Sequence, residues 1–87
     1  MSSYVKKIVI DALKPRETSV LDLAKALCDV SGIDEVDLTV VEVDAKTETV
    51  KLTLHGSDVN YDNISKVISD HSSTIRSIDD INVSKLV

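Results

Sequence analysis

The chain has 87 residues, room for one domain with a modest core and no large enclosed active site. Its net charge of -5 and pI near 4.8 argue against nucleic acid or an anionic membrane as partner, because such binding rests on Lys and Arg neutralising phosphates. Hydrophobic residues make up 43%, enough for a folded chain. With two tyrosines and no Phe or Trp, the core must be aliphatic.

The single cysteine, Cys28, permits no intrachain disulfide and no thiolate metal site by itself. Apolar runs stop at three residues, as in Ile8-Val9-Ile10, too short for a signal peptide or a transmembrane helix. A cytoplasmic protein with one domain over residues 1–87 is expected.

The first element is a strand from Val5 to Leu13. Ile8, Ile10 and Ala12 point one way, and Val9, Asp11 and Leu13 the other. Apolar residues on both faces mark a central strand, and Pro15 ends it. Thr18 or Ser19 then caps a helix, with Asp22 at the third helical position if Ser19 is the cap. Val20, Leu23, Ala24, Leu27 and Val30 recur at helical spacing, and Gly32 stops the helix.

A hairpin follows. Val36–Val43 and Thr49–Leu54 are its strands, and residues 44–48 its turn. Two registers compete, and a one-residue slip swaps the faces of every side chain. The better apolar match sets Val50, Leu52 and Leu54 on one face with Val36, Leu38 and Val40. A bulged or odd-length turn then provides the offset, and Val41 and Val43 fall on the outer face. Gly56-Ser57-Asp58 breaks the strand, and Asn60 caps a second helix reaching about His71. Its buried residues are Tyr61, Ile64, Val67 and Ile68. In the last strand, Ile75 to Val83, the residues Ile75, Ile78, Ile81 and Val83 mix the two faces under strict alternation.

The order βαββαβ predicts an α+β ferredoxin-like sandwich. Its four-stranded antiparallel sheet has order 4-1-3-2, with both helices on one face. The other face is open, and its residues test the functions this topology hosts. An RNA-recognition motif needs stacking aromatics on the central strands, where this chain has Val9, Asp11, Lys51, Thr53 and His55. Heavy-metal carriage needs paired cysteines in the loop after the first strand, and a phosphate cradle needs glycines there. That loop, residues 13–18, has neither.

Asp34, Glu35 and Asp37 supply the oxygen ligands Ca²⁺ or Mg²⁺ prefer, without EF-hand spacing. Asp79 and Asp80 are explained by charge pairing with Lys6 and Lys7. His55 and His71 lie on different elements, and Cys28 reads as a half-buried hydrophobe. No nucleophile–base pair, paired-carboxylate motif or P-loop stands out, so no enzyme and no cofactor are expected. Val9, Leu13, Val41 and Val43 are the candidate interface on the open face, where a contiguous apolar patch marks a contact. Self-association is the expected use of it.

Three stretches carry a resemblance: IVIDALKPRETS at the first strand, VVEVDAKTETVKLTLHG across the hairpin, and TIRSIDD at the last strand. From about Val5 to Asp80 the chain resembles the archaeal domain-of-unknown-function family two hundred and eleven. Its most specific pieces are residues 11–15 and Glu42-Val43-Asp44 with Glu48 and Val50. The resemblance implies a ferredoxin-like fold, a small cytosolic protein and assembly into rings or other homo-oligomers, and it implies no activity. The ending at Ser84–Val87 is shorter than the resemblance leads one to expect.

A ligand site, if present, joins the ends of the first two strands to the start of the last. It takes Asp11, Lys14, Arg16, Glu42, Asp44 and Arg76. The expected function is a homo-oligomeric structural or interaction module. The alternative is a regulatory domain binding a small molecule or metal ion between subunits.

Overall fold

The computed structural model describes residues Ser3 to Leu86. The first strand, β1 (Ser3–Pro15), runs to the proline that terminates it. The helix α1 (Val20–Cys28) is capped by Ser19, whose Oγ accepts from the Asp22 N–H at 3.2 Å. Leu23 and Leu27 are its buried residues. The helix ends at Cys28, ahead of Gly32. That glycine has φ 91° and turns the chain into β2 (Ile33–Val43). The loop of residues 44–46 joins β2 to β3 (Thr47–Gly56).

Asn60 caps α2 (Tyr61–Asp70) by accepting from the Asn63 N–H, and Ile64 and Ile68 are buried. Tyr61, expected in that buried row, is 39% exposed instead, because it begins the helix at the rim of the core. The last strand is β4 (Thr74–Lys85).

The antiparallel sheet has the order β2-β3-β1-β4, the expected 4-1-3-2 read from its other edge. Leu23, Leu27, Ile64 and Ile68 of the helices form one core cluster with Ile8, Ile10, Ala12, Val50, Leu52 and Leu54. Both helices therefore cover one face of a βαββαβ sandwich, as a ferredoxin-like fold requires. The molecule is a slab measuring 48 × 22 × 17 Å.

Registers differ across the sheet. The ladder of β1 with β3 runs unbroken from Lys7–His55 to Pro15–Thr47. Between β2 and β3, Val36, Leu38 and Val40 face Leu54, Leu52 and Val50, the expected apolar match. The offset is not in the turn. Val41 is an extra residue between the paired Val40 and Glu42, a β-bulge inside the strand. That bulge reverses the alternation, so Val43 pairs with Glu48 on the helix-bearing side. The outward placement expected for Val43 is thus corrected, and Val41 is left without a cross-strand partner.

The edge strand β4 uses the same device. Against β1, its Asp79 and Arg76 are extra residues, and Lys6 is extra on β1. Ile75, Ile78, Ile81 and Val83 consequently face Ala12, Ile10, Ile8 and Val5. All four lie on the helix-bearing side rather than mixing faces. Spacings of three, which strict alternation splits between faces, become one row when a bulge takes up a residue.

Near the start of β2, two glycines allow two backbones to touch. A Cβ at Gly56 would overlap the Gly32 carbonyl oxygen, which accepts from the Ser57 N–H at 3.0 Å. Only glycine leaves room for that approach.

Candidate functional site

The open face of the sheet is polar. Its positions include Lys7, Val9, Asp11 and Leu13 on β1, with Thr49, Lys51, Thr53 and His55 opposite on β3. Lys7 Nζ lies 3.3 Å from Asp80 Oδ2, Arg76 Nε 3.9 Å from Asp11 Oδ2, and His55 Nε2 3.8 Å from Asp37 Oδ2. These pairs are solvent-exposed, so each contributes little. The expected pairing of Asp80 with a lysine is present, while Asp79 accepts from Ser77 Oγ at 2.7 Å.

The four aliphatics expected together on this face are not gathered there. Val9 is central, between Thr53 and Asp80, and only 6% exposed. Leu13 is half-buried opposite Thr49 and Thr74. Val43 is on the other side, and Val41 is the bulge residue, 62% exposed. The four are not one patch.

The six charged candidates divide. Asp11, Glu42 and Arg76 share the open face: Glu42 is opposite Thr49, whose Oγ1 accepts from Arg76 Nη1 at 3.4 Å. Arg16 and Asp44 lie by the hairpin loop, where Arg16 Nη1 donates to the Ala45 carbonyl at 3.5 Å and the Asp44 N–H to the Thr47 carbonyl. Lys14 is elsewhere. It is 1% exposed on the helix-bearing side. Its ammonium donates to the Pro15 carbonyl (2.8 Å) and the Thr18 carbonyl (2.6 Å), and lies 2.7 Å from Glu48 Oε1. An ammonium has three donors. All three are engaged, so Lys14 has none to offer a ligand.

Of the acidic residues at the start of β2, Asp34 is set apart while Glu35 and Asp37 share the open face. Asp34 is an extra residue between the paired Ile33 and Glu35, while Glu35 faces His55 and Asp37 faces Thr53. Among the described residues no three His, Cys, Asp or Glu side chains converge as a metal requires. Cys28 is exposed rather than half-buried, at the end of α1. His71 caps α2, its Nδ1 2.8 Å from the Val67 carbonyl. A concave pocket of about 350 Å³ lies between α2 and the start of β4, lined by Tyr61, Ser65, Ser69, Ser73 and Thr74 over Ile68 and Ile75.

Exposed aliphatics instead gather on the helix-bearing side, beyond the helices. The helices, of 9 and 10 residues, are about 14 and 15 Å long. The strands, of 10 to 13 residues, run about 33 to 43 Å. Much of that face is therefore left uncovered. On β2, Val36 and Leu38 pack against the core, while Val40 and Val43 are 40% and 53% exposed. On β4, Ile75 packs against the core, while Ile78, Ile81 and Val83 are 48%, 52% and 52% exposed. Both rows lie on edge strands, at opposite ends of the sheet. Strict alternation misses them; the repeated three-residue spacing is the signal that finds them.

Among the described residues no helix is long and apolar enough to cross a membrane. In comparison with known proteins, the model of the DUF211 family, described as "Uncharacterized ArCR", matches residues 6–87. The chain is also similar to an uncharacterized protein of Methanocaldococcus jannaschii. Identity is 40% over 83 residues, covering 95% of this chain and 86% of that protein. Matched along nearly its whole length by the family model and sharing this identity with an archaeal relative, the chain belongs to the DUF211 family.

Proposed function

We propose that this protein is a cytosolic homo-oligomeric structural or interaction module without enzymatic activity, in which further copies of the chain cover the aliphatic rows on β2 and β4. The observation that carries this reading is the placement of Val40, Val43, Ile78, Ile81 and Val83. Five aliphatic side chains, each at least 40% exposed, stand on one side of both edge strands. Single exposed aliphatics are ordinary, but rows of them on a small domain mark a contact surface. Each edge strand also presents unpaired backbone N–H and C=O groups on its outer side, a template for another strand. The net charge of -5 favours an uncharged aliphatic contact over a phosphate-bearing partner. On the open face Lys7 and Arg76 already lie against Asp80 and Asp11 of the same chain.

The test is absolute mass by light scattering, for the wild type and for an Ile78→Glu/Ile81→Glu variant. A carboxylate placed in a buried contact loses its hydration without gaining a partner. The expected result is a discrete wild-type multimer at low micromolar concentration and a 9.5 kDa variant with unchanged circular dichroism. A wild type of 9.5 kDa, or a multimer that survives both substitutions, overturns the reading.

A further inference from the structure

Alternating aliphatics decide which face of a strand is buried, but not which aliphatic meets which. In β1 and β3 the observed partners are Ile8–Leu54, Ile10–Leu52 and Ala12–Val50. Sliding β3 by two residues preserves every face, since the side-chain period is two. Ile8 would then meet Leu52, and Ile10 would meet Val50. These are aliphatic pairs of much the same size, and only Leu54, moved opposite Lys6, loses an aliphatic partner, so hydrophobic burial separates the two registers by little more than one contact.

Lys14 and Glu48 break the degeneracy. They are direct partners in this ladder, with Lys14 1% exposed and its ammonium 2.7 Å from the Glu48 carboxylate. The two-residue slide sets Glu48 against Ala12 and leaves Lys14 facing Lys46. The opposite slide sets Lys14 against Val50. Either way a buried ammonium loses its carboxylate, a cost added to the single aliphatic contact each slide gives up, Leu54 moving opposite Lys6 in the first and Ile8 opposite Gly56 in the second. We propose that the Lys14–Glu48 ion pair is the register lock of the central β1–β3 ladder. The lock also fixes where the hairpin projects, because each two-residue step carries Val40 and Val43 about 7 Å along the sheet.

The test uses the full chain with Lys14→Met/Glu48→Gln. This removes both charges together and leaves an amide able to donate to the carbonyls of Pro15 or Thr18, which Lys14 now serves. Cross-strand backbone contacts are read by nuclear Overhauser effects. The expected result is the native set, Ala12–Val50 and Ile10–Leu52, joined by a second set, Ile10–Val50 and Ile8–Leu52, at roughly a tenth of its intensity or more. Leu23→Ala, which weakens the core away from the ladder, should retain the native set alone. That contrast separates choice of register from general loss of stability. Native contacts alone in the double variant overturn the proposal. So does failure of both this variant and Lys14→Met/Glu48→Met to fold, since the pair is then required for folding itself rather than for choosing a register.

Discussion

The ladder between β1 and β3 and the ladder between β1 and β4 share a strand yet are built on different rules. The first is unbroken over nine pairs, its core-facing aliphatics strictly alternating, its end marked by a buried ion pair. The second shifts register three times and draws a row of residues spaced by three onto one face. The difference follows from cover. β3 and β1 lie under both helices, where side chains must interdigitate at crystal-like density. β4 is an edge strand, where a bulge costs little packing and roughens the edge against indiscriminate pairing.

Three substitutions sharpen that contrast. Lys14→Met should be the most damaging, at about 3–5 kcal/mol, since removing one member strands the other in a largely buried site. Urea denaturation followed by circular dichroism measures it, and a loss below about 1 kcal/mol would mean that water reaches the site. Leu52→Ala, in the centre of the unbroken ladder and fully buried, should cost about 2–5 kcal/mol by the same measurement. Ile81→Ala is the matched change at the bulged edge, where the side chain is 52% exposed. For a single copy it should shift stability by about 0.5 kcal/mol or less. A larger loss that grows with protein concentration would instead report cover by a second copy, because association adds to apparent stability by mass action.

Much of the fold is legible in the residues. Pro15, Ser19 and Asn60 punctuate the chain where the physics of missing donors and caps requires. The alternation of Ile8, Ile10 and Ala12 with Val50, Leu52 and Leu54 identifies the central pair of strands. The hairpin match is legible for the same reason. What alternation hides is the bulge. One extra residue, Val41, returns Val43 to the helix side, and Arg76 and Asp79 together align Ile75, Ile78 and Ile81. Strict parity therefore places Val43 on the wrong face and splits the β4 row between both.

The charged candidates fail to converge for a related reason. Lys14 and Asp11 are three residues apart on an unbulged stretch of the β3 ladder, hence on opposite faces. Proximity in sequence and at one end of the sheet does not bring their side chains together. Burial of Lys14 follows from three acceptors at 2.6 to 2.8 Å, two of them backbone carbonyls, and carbonyls have no sequence signature.

The slab dimensions of 48 × 22 × 17 Å bear on how this molecule moves through a solvent. A body nearly three times as long as it is thin drags more water, and tumbles more slowly, than a sphere of equal mass. A lone copy will therefore leave a sizing column early, in the position of a heavier round protein. Its elution volume imitates association, and only scattered intensity, which counts mass rather than drag, distinguishes one copy from two.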